Sequence, residues 1–421
     1  MRPVTPRGFR DVLFAEAMER ESVARAMSDV FSAWGYAPVE TPVVEELGTL
    51  ERGVGGGVGE GMFRLFDVDG SLLALRPEMT VPIARLAASR LADQPGPHRV
   101  RYVAPVFREH VSLRGQARQF TQAGVELIGQ RGPAADAEVV AVAADALTAA
   151  GLEGFVIGLG TVKLLHDLVA AADAPAEWGE AVLAAAHEHN IVEVDRLASE
   201  MFVPPQVGEA LKAAFRLRGG AEALAECRAL LEACGREETL SDLSETYRIL
   251  EALGYADAVV LDFGIVRSFD YYTGLVLEVY ARGLGLPIGG GGRYDRLLAA
   301  FDHPSPAAGL ALGLERVMIA LAEQGRVTSV PALDAIVGGT DPVAAFRAAS
   351  ALRVAGWRVR LAVGETGTGL VREAEHADAA EAVLADGETI YRLDRVGERA
   401  LPLGRPLPAP PRSTWAEGGA R

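Results

Sequence analysis

The segment from Arg99 to Ile128 constrains the fold more than any other part of the chain. Arg99 to Phe107 and Phe120 to Ile128 are both strand-like, and a turn at Arg114-Gly115 separates them. This pattern predicts an antiparallel hairpin. Alternate residues of the second strand share one face, which is too polar for a bare core; they are Arg118, Phe120, Gln122, Gly124 and Glu126. That polar face suggests a ligand.

The segments around this hairpin predict an α+β core that spans residues 1–326. Helices are expected at 11–35, 75–88, 134–150 and 309–323, and strands at 37–40, 63–67, 72–75, 154–159, 258–263 and 273–281. An Ala/Leu/Glu-rich stretch at about 162–253 predicts a helical insertion. Alternating strands and helices at 327–404 predict a small separate α/β domain. The Pro-rich segment 405–421 predicts a disordered tail.

Composition and charge exclude several classes of protein. The 421 residues carry 57 acidic and 41 basic side chains, a formal charge of −16 that disfavours indiscriminate binding to polyanions. The two cysteines, Cys227 and Cys234, lie seven apart on a predicted helix, which excludes a disulfide framework and a cysteine metal site. No apolar run approaches the roughly 18 residues that span a bilayer, and no apolar signal core is present. We therefore expect a cytoplasmic protein without a membrane segment.

Four separated segments combine charged residues with strand or turn patterns. They are 75–80 (Leu-Arg-Pro-Glu-Met-Thr), 107–126, 266–274, and 289–295 together with 313–316. Each segment also has a structural interpretation: Arg76 and Glu78 could pair on a surface, Arg316 could be a solvated helix charge, and Tyr271 and Tyr272 could be core residues. His187 and His189 point apart on a helix, so we expect no metal site there.

Taken together and in this order, the segments resemble the class II histidyl-tRNA synthetase family. The resemblance covers roughly residues 5–325, from Pro6-Arg7-Gly8-Phe9-Arg10-Asp11 through the LRPEMT segment to GGGRYDRL and ALGLER. It implies an antiparallel sheet of six to seven strands flanked by helices, and a homodimer. The small C-terminal domain then resembles a reduced anticodon-binding domain.

The resemblance also implies a pocket for free histidine. Glu78, Thr80 and Glu126 would hold the ammonium, and Gln122 would help to orient the ligand. Arg267 would face the carboxylate, Tyr271 and Tyr272 would line the imidazole end, and Arg108 would lie toward the α-phosphate side. Arg118 and Arg316 are candidates for a nucleotide side. Carboxylates for an ammonium and a guanidinium for a carboxylate are the expected partners of an amino acid.

Several positions depart from the synthetase pattern. Gln116 stands in place of an arginine, Met79 in place of a glycine, and Gly274-Leu275 in place of Arg-Thr. The C-terminal block 331–421 has 11 arginines against 12 acidic residues, which offers little to tRNA. Losing one preorganised charge costs about 3 to 4 kcal/mol of transition-state stabilisation. These departures disfavour adenylation, although Arg114 could compensate for Gln116.

The same substitutions are similar to those of synthetase paralogues that serve as ATP phosphoribosyltransferase regulatory subunits in histidine biosynthesis. That resemblance implies a subunit with no catalytic residue, cofactor or metal, which binds L-histidine for feedback control. Its partner would be a short-form catalytic subunit, in a hetero-oligomer built around the homodimer. The alternative is an authentic histidyl-tRNA synthetase that uses ATP and Mg²⁺, because Arg108, Arg267 and Glu315-Arg316 are retained.

Overall fold

The computed structural model describes residues 4–54, 61–109, 117–265, 271–326, 333–404 and 407–410. The chain forms two compact units, Met1–Thr328 and Ser329–Arg421. No helix within these described ranges is long and apolar enough to cross a membrane.

The part of the large unit that the structure describes contains twelve strands in two sheets. They are β1 Ala37–Pro38, β2 Val44–Glu46, β3 Arg64–Phe66, β4 Leu72–Leu75, β5 His98–Phe107, β6 Gln119–Ile128, β7 Val156–Thr161, β8 Arg218–Gly219, β9 Val259–Asp262, β10 Leu275–Tyr280, β11 Gly289–Arg293 and β12 Ala307–Gly313. Nine of them form the main sheet in the order β1-β5-β6-β12-β11-β10-β7-β9-β8, and the others form a small sheet, β2-β4-β3. The expected six to seven strands were therefore too few. Two pairs, β1 with β5 and β7 with β9, are parallel rather than antiparallel.

Eleven α-helices of the same unit are described. They are α1 Phe14–Ala33, α2 Leu47–Val54, α3 Thr80–Leu86, α4 Pro133–Ala149, α5 Val162–Ala171, α6 Ala176–His187, α7 Ile191–Leu197, α8 Pro205–Ala214, α9 Ala221–Ala233, α10 Ser241–Ala252 and α11 Leu314–Glu323. Helices α5 to α10 lie between β7 and β9 in the chain. A helix was expected from Gly309, but residues 307–313 form β12, because Gly309 pairs with Glu126 in the sheet.

The main sheet has two different faces. One face packs Val125, Leu277 and Leu310 against α1 and α4 in the largest hydrophobic core. Because strand residues alternate, Gln122, Gly124 and Glu126 lie on the other face. Their neighbours across β12, β11 and β7 on this face are mostly glycine or alanine; they are Gly313, Ala311, Gly309, Gly290, Gly292, Gly158 and Gly160. These small residues leave room for side chains that pack over this face, such as Glu126 over Gly309 and Tyr272 over Gly292.

The described residues of the small unit form a five-stranded sheet and two helices. Its elements are β13 Ala335–Gly339, α12 Pro342–Val354, β14 Val359–Val363, α13 Gly367–His376, β15 Glu381–Asp386, β16 Thr389–Leu393 and β17 Arg399–Pro402, with strand order β14-β13-β15-β16-β17. Leu407 packs against its core, and the Trp357 indole donates to the Pro408 carbonyl at 2.8 Å. Residues 407–410 thus contact the core of the small unit, and the rest of the segment predicted to be disordered lies outside the described residues.

Candidate functional site

Glu126 is the most deeply buried carboxylate on the small-residue face of the main sheet. Its side chain is 1% exposed. The Oε1 atom accepts hydrogen bonds from the Thr80 hydroxyl at 3.1 Å and the Tyr102 hydroxyl at 3.3 Å. The Oε2 atom accepts a short hydrogen bond from the Tyr294 hydroxyl. Three neutral hydroxyl groups therefore surround this carboxylate.

Glu78 is a second buried carboxylate beside the first. It precedes α3, and its two oxygens accept from the backbone amides of Thr80 at 2.6 Å and Val81 at 2.8 Å. The side chain is 3% exposed, and burial raises its pKa, while those amides and the charge of Arg108 act in the opposite direction. The sequence places Glu78 here because a strand end runs directly into the first turn of α3.

Burial and mutual repulsion make it unfavourable for both carboxylates to be ionised at once. Burial raises the pKa of Glu126 to about 8; the hydrogen bond from Tyr294 lowers it, and the charge of Glu78 raises it further. Among the described residues neither Glu78 nor Glu126 forms an ion pair. Burial and the charge of Glu126 also raise the pKa values of Tyr102 and Tyr294, so both hydroxyls remain donors. A cation placed between the carboxylates would relieve this repulsion.

Two glycines make room for the Glu126 cluster. A Cβ atom added to Gly309 would lie 1.6 Å from Glu126 Oε2, and one added to Gly124 would lie 2.5 Å from the Tyr102 hydroxyl. Neither position tolerates a side chain without displacing the groups that hold the carboxylate. Packing within this site therefore explains why glycine occupies both positions.

Some of the remaining predicted histidine ligands lie around these carboxylates; they are Gln122, Tyr271 and Tyr272. Gln122 is 9% exposed, and its Oε1 atom lacks a hydrogen-bond partner among the residues that the structure describes. The Tyr271 ring contacts the rings of Tyr272 at 4.8 Å and Tyr294 at 5.9 Å. Tyr271 and Tyr272 therefore belong to one aromatic cluster with a direct partner of Glu126.

The arginines predicted for the site have different surroundings. Arg108 donates from Nε to the Pro77 carbonyl at 2.8 Å and lies 5.3 Å from the centre of the Phe120 ring. This position, next to the residue that precedes Glu78, brings a guanidinium to the edge of the carboxylate pair. Arg267 lies outside the described residues, as does the 110–116 loop that carries Gln116.

The two arginines suggested for a nucleotide side are occupied by contacts within the chain. Arg118 forms an ion pair with Glu109 at 2.9 Å and lies over the Phe63 ring at 4.3 Å. Arg316 is exposed and donates to the Pro287 carbonyl at 2.5 Å. These contacts do not assign a ligand to either residue, so the nucleotide-side role stays a prediction.

The alternative of a surface pair between Arg76 and Glu78 is wrong. Both residues are 3% exposed, and the Arg76 guanidinium donates to the carbonyls of Pro105 at 2.9 Å and Thr41 at 2.7 Å. Arg76 thus ties the strand end to neighbouring loops rather than compensating Glu78. The sequence could not show whether Arg76 pairs with Glu78 or with backbone carbonyls, because the two carbonyl acceptors of Arg76 are distant from it in the chain.

Sequence reasoning missed Tyr102 and Tyr294 as partners of Glu126. Both lie in segments that the sequence singled out, one in the first strand of the hairpin and one in the GGGRYD segment. In the sheet Tyr102 pairs with Gly124, two residues before Glu126, which brings its hydroxyl to the carboxylate. Exact strand register, which the sequence does not supply, was needed to find them.

The sequence of this chain is similar to those of known proteins over most of its length. A family model described as histidyl-tRNA synthetase matches residues 8–317. The ATP phosphoribosyltransferase regulatory subunit of Moorella thermoacetica is 37% identical over 93% of this chain and 98% of its own length. The corresponding subunit of Symbiobacterium thermophilum is 40% identical over 92% of this chain and 97% of its own length. These relatives confirm the resemblance to the regulatory-subunit paralogues.

Solved structures confirm the α+β, class II synthetase-like fold. An ATP phosphoribosyltransferase regulatory subunit/histidyl-tRNA synthetase from Bacillus halodurans C has a TM-score of 0.79 and 29% identity, covering 89% of this chain and 97% of that one. The histidyl-tRNA synthetase of Nostoc sp. PCC 7120 has a TM-score of 0.78 at 22% identity, covering 95% and 96% of the two chains, and is similar in fold.

Proposed function

This chain belongs to the histidyl-tRNA synthetase family and, within it, to the ATP phosphoribosyltransferase regulatory subunits; from this premise we propose that it binds free L-histidine and imposes feedback control on its partner. The chain is a non-catalytic regulatory subunit that acts in histidine biosynthesis. Its partner is the catalytic subunit of ATP phosphoribosyltransferase, and we propose the short form of that subunit. The proposed assembly is a hetero-oligomer around a homodimer of this chain, without tRNA.

The pair of buried carboxylates, which forms no ion pair among the described residues, carries the proposal. Glu78 and Glu126 are each at least 97% buried, yet their described hydrogen bonds come from amides and hydroxyls rather than from cations. Burying a carboxylate without a cation is unfavourable unless a ligand supplies the charge. The ammonium of an amino acid supplies one positive charge and three donors, which suits a cluster of acceptors.

The neighbouring groups support an amino acid over a simple cation. Gln122 offers a buried carbonyl oxygen that needs a donor, and Tyr271 and Tyr272 offer aromatic surface for a flat ring. Family resemblance assigns Arg267 to the ligand's carboxylate. An imidazole ring, an ammonium and a carboxylate on one small molecule would use all of these groups.

Feedback requires that histidine binds two states of the complex with different affinities. Such coupling amounts to about 1 to 3 kcal/mol and acts equally on the ligands of both subunits. The site is assembled from β5, β6, α3 and the contact between Tyr271 and Tyr294. A ligand that contacts all of these elements would stabilise one arrangement of them, and the catalytic subunit would bind that arrangement with a different affinity.

Reconstitution with the short-form catalytic subunit tests the proposal. Phosphoribosyl transfer is measured with increasing L-histidine, using the full chain and its Glu78→Gln and Glu126→Gln variants. We expect the unaltered complex to be inhibited by histidine and both variants to support turnover without that inhibition. Glu138→Gln is the matched control, because Glu138 is paired with Arg99 at 2.7 Å outside the site.

Two results would contradict the proposal. Inhibition by histidine that is unchanged in both glutamine variants would separate feedback from this site. Histidine-dependent exchange of ATP and pyrophosphate by the purified chain would instead favour the synthetase activity. In that case Mg²⁺ and ATP would become required ligands.

A further inference from the structure

A cavity of about 270 Å³ lies beside the histidine site, between the main sheet and the helices that follow β7. It is bounded by the end of β7, by α5, α6 and α8, and by the residues after β9. Of the residues predicted to bind histidine, only Tyr272 is among its described lining residues. The carboxylates Glu78 and Glu126 are not among its described lining residues.

The walls of the cavity are apolar and partly aromatic. Leucine side chains of α5 and α6 form much of the surface, and the rings of Phe215, Phe263 and Tyr272 form the rest, with Ile265. The described lining includes no Asp, Glu, Lys or Arg. The described lining therefore suits an uncharged aromatic ligand, because the side chains in it are apolar or neutral.

A few polar groups interrupt these walls. Thr161 is buried, lines the cavity, and accepts a hydrogen bond from the Lys163 amide at 3.3 Å through its hydroxyl oxygen. The imidazoles of His166 and His187 belong to exposed residues of α5 and α6 that also line the cavity. Hydroxyl and imidazole groups can each donate or accept. They would match a ring that carries both donors and acceptors on its edge.

The size of the cavity sets the size of the ligand. A cavity of about 150 Å³ lined by apolar side chains holds one benzene molecule. The larger volume here accommodates a fused two-ring system. We propose that this cavity is a second ligand site, which binds an uncharged bicyclic heteroaromatic ring of the purine type.

Adenine is the probe for this proposal, titrated calorimetrically into the full chain, with AMP as its charged counterpart. We expect saturable binding of adenine and at least tenfold weaker binding of AMP. Ala214→Phe should weaken adenine binding at least tenfold by filling the cavity. The matched control is Ala213→Phe on the same helix, because Ala213 is not among the described lining residues, and it should bind adenine as the unaltered chain does.

A second variant, at an exposed residue that lines the cavity, tests the proposal if Ala214→Phe does not fold. His187→Ala changes an exposed side chain and should also weaken adenine binding by several-fold. The proposal is overturned if adenine does not bind the full chain, if AMP binds as tightly, or if a folded Ala214→Phe or His187→Ala variant binds adenine unchanged. The titration needs neither histidine nor the catalytic partner, so its failure leaves the proposed function standing.

Discussion

Two clusters of buried charge in the large unit differ in how the charge is compensated. Asp136 and Arg293 are 2% and 7% exposed and form an ion pair at 2.7 Å, and Asp295 pairs with the same guanidinium at 3.0 Å. Glu78 and Glu126 are equally buried, but among the described residues no side-chain cation pairs with them. The first cluster is complete within the protein, whereas we propose that the second is completed by a ligand.

This difference separates a structural role from a binding role. A buried carboxylate with its own guanidinium fixes the elements that carry the two groups, here α4 and β11. A buried carboxylate that is held only by neutral donors stores an unfavourable interaction that a cationic ligand can relieve. A buried charged side chain does not by itself identify a binding site. The useful sign is a buried carboxylate that forms no ion pair among the described residues.

Removing the cation of the complete cluster should have the largest effect. Arg293→Met leaves Asp136 buried without a partner, so the free energy of unfolding should fall by about 3 to 5 kcal/mol in urea denaturation. Arg316→Met is the control and should change it by less than about 0.5 kcal/mol, since Arg316 is exposed. An Arg293→Met variant as stable as the unaltered chain would contradict the claim that the Asp136–Arg293 pair stabilises the fold.

Neutralising the incomplete cluster should affect binding rather than stability. Glu126→Gln removes a charge-assisted contact worth about 1.5 to 3 kcal/mol, so the affinity for L-histidine should fall about 10- to 150-fold. The free energy of unfolding should change little, because glutamine has the shape and the neutral charge of the protonated form that Glu126 largely adopts near neutral pH. Glu138→Gln, in a paired carboxylate, should show the opposite pattern. A Glu126→Gln variant that loses stability but keeps its histidine affinity would contradict this comparison.

The pH dependence of histidine binding should have a defined sign. With a pKa of about 8, Glu126 is largely protonated near neutral pH, and an ammonium ligand favours its ionised form. The affinity should therefore rise with pH between about 6.5 and 7.5, by up to about tenfold per unit, while the ligand's ammonium stays charged. Titrations at several pH values measure this rise. Glu126→Gln should flatten it to the part contributed by the ligand's own imidazole, and an equal rise in the variant would exclude Glu126 as its source.

The smallest effect should come from removing one hydroxyl donor. Tyr294→Phe deletes the hydrogen bond to Glu126 Oε2, a loss of about 0.5 to 1.5 kcal/mol. Histidine binding should weaken about two- to tenfold, and the pH profile should shift upward, because that bond lowers the pKa of Glu126. Tyr36→Phe, which removes a hydroxyl bonded to Glu138 at 2.8 Å, should leave the pH profile in place. An upward shift in Tyr36→Phe of the same size would point to a general loss of packing.

The sequence predicted the hairpin and its polar face because alternation over β6 is strong and local. It did not predict β12, because Ala and Leu favour a helix by local propensity and pairing within the sheet overrides that preference. The same limit applies to the site. Glu126 was found from its position on the polar face, whereas its donors Tyr102 and Tyr294 depend on pairing between strands. Arg76 was ambiguous because its carbonyl acceptors are remote in the chain.

Calorimetric titration of the full chain with L-histidine, in two buffers of different ionisation enthalpy, tests the central claim most directly. We expect saturable heat with proton release, because an ammonium ligand converts Glu126 from its protonated form to the carboxylate. Absence of heat both alone and beside the catalytic subunit, or proton release that is identical in Glu126→Gln, would contradict the assignment of this carboxylate pair to histidine.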